Sequence, residues 1–229
     1  MVRAGSPIPN PRLTAPLAEA SVLSSLGPAF ALLDYAGLCL FALSGALAAA
    51  EKEQTPITFA FFATATGVGG GTIRDLVIGV PVFWVTDQTA LLLCLAMAGV
   101  AWLTDIRRWP TRSMLWLDAV GLAAYAAVGA AKALSVGVGP LIAIVMGVFT
   151  AAMGGVIRDV LAHQPSTILG PEIYITAAVA SASTYVMLVS LGIPLIWAGA
   201  FAVMLGFGLR AAAMTRGWQL PHYVRKSDR

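Results

Sequence analysis

The chain has 229 residues, of which 59% are hydrophobic and 11% charged, and its mean hydropathy is +0.83. This excludes a water-soluble bundle, whose helices each need a polar outer face, because stretches such as 133–157 and 173–209 carry almost no charge. The formal net charge of +3 does not indicate nucleic acid, since no basic stripe interleaved with aromatic residues occurs and the Lys and Arg residues cluster beside apolar spans.

Residues 1–28 contain Pro7, Pro9, Pro11, Pro16 and Pro28 and lack the continuous apolar core of a secretory signal, so they read as a disordered leader. A bilayer core of roughly 30 Å needs about 20 helical residues. Applied along the chain, that length predicts spans at 29–50, 57–78, 88–103, 113–134 and 140–162. The run 173–209 is too long for one crossing and divides at Gly192-Ile193-Pro194 into a sixth and a seventh span. The expected organisation is a single transmembrane domain over 29–212, with a first repeat at 29–104, a second at 113–191 and an extra helix at 194–212, followed by a cytoplasmic tail at 213–229.

Lys and Arg are retained on the cytoplasmic side during insertion. The third connection holds Arg107, Arg108 and Arg112, and the end of the chain holds Arg210, Arg216, Arg225, Lys226 and Arg229, whereas the connections 80–87 and 192–193 carry no Lys or Arg. Seven spans then place the N-terminus outside and the C-terminus in the cytoplasm.

Shifting the sequence by 84 residues aligns 33–81 with 117–165 without a gap. Asp34 meets Asp118, Gly37 and Gly45 meet Gly121 and Gly129, Pro56 meets Pro140, and Thr66 meets Thr150. Gly70-Gly71 meets Gly154-Gly155, Ile73-Arg74-Asp75 meets Ile157-Arg158-Asp159, and Pro81 meets Pro165. A shared Leu and Ala bias cannot produce coincidences of Gly, Pro, Arg and Asp. Each copy carries three spans, and an odd number forces the second copy to insert upside down relative to the first. The fold class is therefore an all-α membrane protein: seven transmembrane helices as two inverted three-helix repeats plus one C-terminal helix.

The candidate site is the device duplicated in the second helix of each copy. Consecutive glycines cost about 1 kcal/mol each relative to Ala in a helix and permit a break that frees backbone groups. Thr66, Gly69, Gly70 and Gly71 in one copy, and Thr150, Gly154 and Gly155 in the other, are the pore and helix-kink candidates. Packing is the competing role, since Gly67 and Gly71 have GxxxG spacing. Asp34, Arg74, Asp75, Asp118, Lys132, Arg158 and Asp159 form a pore-charge or ion-pair set, because an intramembrane charge costs roughly 2.5–3.5 kcal/mol on insertion scales unless paired or hydrated. Neighbouring residues point about 100° apart on a helix, so Arg74 is expected to pair with a carboxylate from elsewhere, Asp34, Asp118 or Asp159, rather than with Asp75. Lys132 lies near a helix end and is expected to snorkel to the interface, with a gating charge as the alternative.

Cys39 and Cys94 lie within apolar spans and read as buried free thiols. His163 and His222 lack ligand partners at metal spacing, and no Walker loop, nucleophile elbow or zinc motif occurs, so neither an enzyme nor a metal or cofactor is indicated.

At the paired Gly-Gly-Gly-Thr-Ile-Arg-Asp75 and Gly-Gly-Val-Ile-Arg-Asp159 motifs the chain resembles the bacterial members of the trimeric intracellular cation channel family, also catalogued as a glycine-transporter-like domain. The resemblance spans 32–210. It implies a homotrimer in the bacterial inner membrane, with a pore through each protomer conducting monovalent cations, mainly potassium, beside second and fifth helices kinked at Gly69–Gly71 and Gly154–Gly155. Potassium or sodium would be the permeant ion, and membrane lipids the other partners. The second copy departs from the pattern in carrying Met153 where a third glycine would stand, and 57–71 lacks the lysine of the eukaryotic lipid-binding motif. A passive channel fits this reading through carbonyl dipoles at the midplane. A secondary transporter of a small amino acid such as glycine fits the inverted repeat equally well. A non-conducting scaffold would leave the duplicated polar motif without a role.

Overall fold

In the computed structural model the described residues are 27–104, 112–169 and 173–220. The predicted leader up to residue 26, the connection residues Arg107 and Arg108, and the tail residues Arg225, Lys226 and Arg229 lie outside them. The described residues form seven long α-helices: α1 Pro28–Glu51, α2 Pro56–Ile78, α3 Gln88–Leu103, α4 Ser113–Ser135, α5 Pro140–Leu161, α6 Ile175–Ser190 and α7 Leu195–Arg216. A single α-helical turn, Phe83–Thr86, precedes α3, and a 3-10 turn, Thr167–Leu169, precedes α6. By length and composition α1, α4, α5 and α7 can cross a membrane, while α3 and α6 are shorter apolar helices.

Local chemistry sets these boundaries. α1, α2 and α5 open on proline, whose fixed φ is already helical and whose missing N–H is no loss in the first turn. The Thr55 hydroxyl caps α2 by accepting from the Thr58 amide at 3.4 Å. α2 stops at Gly79 and α7 at Gly217, both in the left-handed conformation that glycine adopts without strain. The Gly192-Ile193-Pro194 connection divides the long apolar run as expected. α7, however, continues to Arg216, beyond the predicted end at 212.

Helix packing follows the sequence repeat. Within the first copy α1, α2 and α3 pack pairwise against one another, and α4, α5 and α6 do the same within the second. Across the copies α1 meets α4 and α2 meets α5, while α7 lies against α4 and α6. α4 is the centre of the bundle: every residue from Gly121 to Ala133 is buried. Alanine and glycine dominate that stretch, which lets the surrounding helices approach closely. Large apolar side chains such as Leu92, Phe149, Trp197, Phe201 and Met204 face outward, whereas Arg74, Asp75, Asp118, Lys132, Arg158, Asp159 and Arg210 are buried. Apolar outside and ionic inside is the arrangement expected when the surrounding solvent is lipid.

Candidate functional site

α2 and α5 cross antiparallel at their glycines. A Cβ on Gly70 would lie 2.1 Å from the Thr150 carbonyl oxygen, and one on Gly154 would lie 2.9 Å from the Thr66 carbonyl oxygen. A side chain at either position would drive the two backbones apart. Thr66 and Thr150 are buried in this crossing beneath Gly45 of α1 and Gly129 of α4, where a Cβ would stand 2.5 Å from either threonine hydroxyl. Thr150 donates to the Met146 carbonyl oxygen at 2.6 Å. The missing side chains of Gly69, Gly71 and Gly155 leave room for Ile157, the Phe83 ring and the Tyr174 hydroxyl, respectively.

α2 and α5 run as continuous α-helix through Gly69–Gly71 and Gly154–Gly155. Close packing of a smooth glycine face leaves the helical ladder intact, so no backbone group has to find a new partner in an apolar setting. Gly67, part of the GxxxG spacing, also serves packing, with a Cβ there meeting Cys94 Sγ at 2.9 Å. Cys94 is buried and free, and Cys39 is free and half-buried.

One turn beyond the crossing, each helix carries a buried charge cluster. In the first, Arg74 Nε donates to Asp75 Oδ1 at 2.7 Å, Lys132 Nζ of α4 to Asp75 Oδ2 at 3.1 Å, and the Phe83 amide to the same Oδ2 at 3.0 Å. The Phe83 ring lies 5.9 Å from the Arg74 guanidinium and 5.8 Å from the Lys132 ammonium, within cation–π range. Asp34 of α1, the counterpart of Asp118, forms no ion pair among the described residues.

In the second cluster Arg158 Nε and Nη2 donate to Asp159 Oδ1 at 2.9 and 2.8 Å, and Nη1 donates to Asp118 Oδ1 at 2.8 Å and to Ser44 Oγ at 2.6 Å. Asp159 Oδ2 accepts from the Thr167 amide at 2.9 Å and from its hydroxyl at 3.1 Å. Thr167 is the counterpart of Phe83 at the 84-residue offset, so each aspartate caps the short turn that follows its own helix. The Arg210 guanidinium of α7 sits 5.2 Å above the Tyr174 ring. At the crossing Thr66 opposes Gly154 and Gly70 opposes Thr150, which sets Arg158 level with Phe62. At 1.5 Å per residue, the two arginines stand about 18 Å apart along α2.

Side-chain pairing departs from the expected pattern at three places. Arg74 bonds the adjacent Asp75, and Arg158 the adjacent Asp159, because a flexible arginine stem reaches around the 100° step and a buried guanidinium takes the carboxylate within reach. Lys132 does not snorkel: it is 3% exposed and paired with Asp75. Arg210, counted with the basic end of the chain, is 1% exposed inside the bundle. Ser44, Phe83, Thr167 and Tyr174 also belong to the site, though the sequence pattern does not single them out. Ser44 has Val128 as its counterpart and Phe83 has Thr167, so identity between the copies could not reveal them.

Beside the first cluster, Tyr35 donates a short hydrogen bond to Asp87, which caps α3 by accepting from the Thr89 amide at 2.9 Å. Partial burial pushes the Asp87 carboxyl up, but the hydrogen bonds from Tyr35 and Thr89 outweigh it and hold the group below the usual carboxylate range.

A family profile described as "Glycine transporter" matches residues 31–105 and again 115–190. The UPF0126 inner membrane protein YadS of Escherichia coli (strain K12) is 37% identical over 196 residues, covering 84% of this chain and 95% of that protein. The UPF0126 membrane protein YvgT of Bacillus subtilis (strain 168) is 34% identical over 150 residues, covering 64% and 74%. Among solved structures, the chain matches the TRIC trimeric intracellular cation channel orthologue from Rhodobacter sphaeroides with a TM-score of 0.77 at 45% identity, over 82% of this chain and 98% of that one. A prokaryotic TRIC channel in 0.5 M KCl matches with a TM-score of 0.74 at 28% identity, over 83% and 98%.

Proposed function

The chain belongs to the glycine-transporter family of membrane proteins and has a TRIC-like fold, and from that premise we propose that it is a cation channel. The reading is carried by the antiparallel crossing of α2 and α5 with a buried Asp–Arg cluster one turn beyond it at each end. Such a pair of clusters makes a path that is barred twice. While each arginine is held by carboxylates, its guanidinium fills the end of the path and repels a cation. Release of the arginine would clear the way and turn Asp75 and Asp159 toward the ion, and the hydroxyl oxygens of Thr66 and Thr150 would replace part of its hydration between them.

In this reading the two three-helix copies insert in opposite orientations, so seven helices cross the plasma membrane with the N-terminus outside and the C-terminus in the cytoplasm. Cluster one then faces outward and cluster two inward. Potassium is the main permeant ion, each protomer of a homotrimer holds its own path, and no enzymatic step is involved. The relatives' names support this: YadS is an inner membrane protein, and the matched structures are trimeric cation channels.

Purified protein in planar bilayers under a potassium gradient tests the reading. Discrete openings whose reversal potential follows the potassium gradient are expected. Saturable glycine uptake into proteoliposomes, with no resolvable openings, would replace the channel with a transporter of a small amino acid.

A further inference from the structure

The two charge clusters are related by the repeat but are held unequally. α1 presents Phe41, Ser44 and Ala48 along one stripe, and α4 presents their counterparts Tyr125, Val128 and Lys132. Phe41 and Tyr125 stack with ring centroids 5.3 Å apart, so the stripes face each other at the middle of the bundle. From there each stripe reaches the cluster of the opposite copy: Ser44 accepts from Arg158, and Lys132 donates to Asp75.

On the α4 stripe Val128 lies between Tyr125 and Lys132 and is 4% exposed. It occupies the repeat position at which the other copy carries the Ser44 hydroxyl that accepts from Arg158. All three nitrogens of the Arg158 guanidinium are occupied, by Asp159, Asp118 and Ser44. Arg74 shares Asp75 with Lys132, and its Nη2 is buried with no hydrogen-bond partner among the described residues.

We propose that the two ends are unequal barriers in one path, the Arg158 end firm and the Arg74 end yielding, and that the hydroxyl present at Ser44 and absent at Val128 sets much of the difference. Ser44 is a positioning residue that holds Arg158 across the path from the opposite repeat. The proposal rests on the channel reading. A hydrogen bond to a charged group, lost from one of two states, shifts the equilibrium between them by about tenfold or more.

The test compares full-length wild type with Ser44→Ala, Ser44→Thr and Val128→Thr in planar bilayers under a potassium gradient. Ser44→Ala is expected to raise the open-to-closed ratio about tenfold, Ser44→Thr to keep it near wild type because the hydroxyl is retained, and Val128→Thr to lower it. Single-channel conductance should stay constant across the set, which a general distortion of the bundle would not allow. An unchanged or lowered ratio in Ser44→Ala overturns the proposal. If wild type itself gives no resolvable openings, the channel reading fails. Amide hydrogen exchange at Thr167, which donates to Asp159, then reads the hold on Arg158 directly. Exchange several-fold faster in Ser44→Ala supports an arginine held by the hydroxyl, and unchanged exchange overturns it.

Discussion

Lys132 and Asp75 belong to different copies of the repeat, yet they form a buried ion pair at 3.1 Å that ties α4 to α2. The contact has no counterpart at the other end, because the residue equivalent to Lys132 in the first copy is Ala48. Asp75 thereby serves two cations and a backbone amide at once.

Replacing Asp75 by Asn should be among the most damaging single changes in the protein. It leaves Arg74 and Lys132 buried together without their shared carboxylate, a loss on the order of 3–5 kcal/mol. Adding Lys132→Met to Asp75→Asn should recover part of the loss by removing one of the two cations. Thermal unfolding of the single and double variants in detergent measures the coupling, and strictly additive losses would contradict it.

The glycines at the crossing should differ in tolerance. Alanine at Gly70 meets a backbone oxygen at 2.1 Å, and alanine at Gly154 meets one at 2.9 Å with Phe41 at 3.2 Å. Both changes should destabilise by about 1–3 kcal/mol through overpacking, with Gly70→Ala the worse. Thermal unfolding and gel filtration provide the comparison, and equal stability of Gly70→Ala and wild type would contradict it.

Asp118 and Asp34 occupy equivalent positions, but only Asp118 touches its arginine. Asp118→Asn should therefore lower the unfolding temperature by several degrees, and Asp34→Asn by less. The reverse order would mean that Asp34 carries a contact as strong as the ion pair at the other end.

The stability contributed by Asp87 should depend on pH. Its folded pKa is depressed below the unfolded value of about 4, so its contribution is fully present above that value and is lost as pH falls through the folded pKa. The unfolding temperature of wild type should exceed that of Asp87→Asn by a constant margin from pH 7 down to about pH 4, and the margin should shrink below it. A margin that widens in acid would contradict the assignment.

Much of the fold was legible because lipid imposes simple rules. The predicted span 88–103 coincides with α3, and the other helix starts lie within two residues of expectation, since Pro28, Pro56 and Pro140 mark helix starts by covalent geometry. The seven charged candidates stand out in the sequence for a related reason: a charge in an apolar span needs a partner. Which partner was not legible. Periodicity gives the direction in which a Cβ leaves the helix, while a side chain as long as that of Arg74 or Lys132 ends several bonds away, where tertiary contacts decide. Ser44 was invisible for a different reason. The repeat revealed residues that the two copies share, and Ser44 acts at a position where they differ.

The differences between the stripes on α1 and α4 are reciprocal. A bundle assembled from two copies of the first half would offer a serine hydroxyl to both arginines and an amine to neither aspartate. One assembled from two copies of the second half would offer an amine to both aspartates and a hydroxyl to neither arginine. No symmetric pairing of either half reproduces the contacts of the fused chain. Joining the halves in one polypeptide guarantees that each molecule receives one of each, which separate expression of two half-genes could secure only by forbidding like from pairing with like.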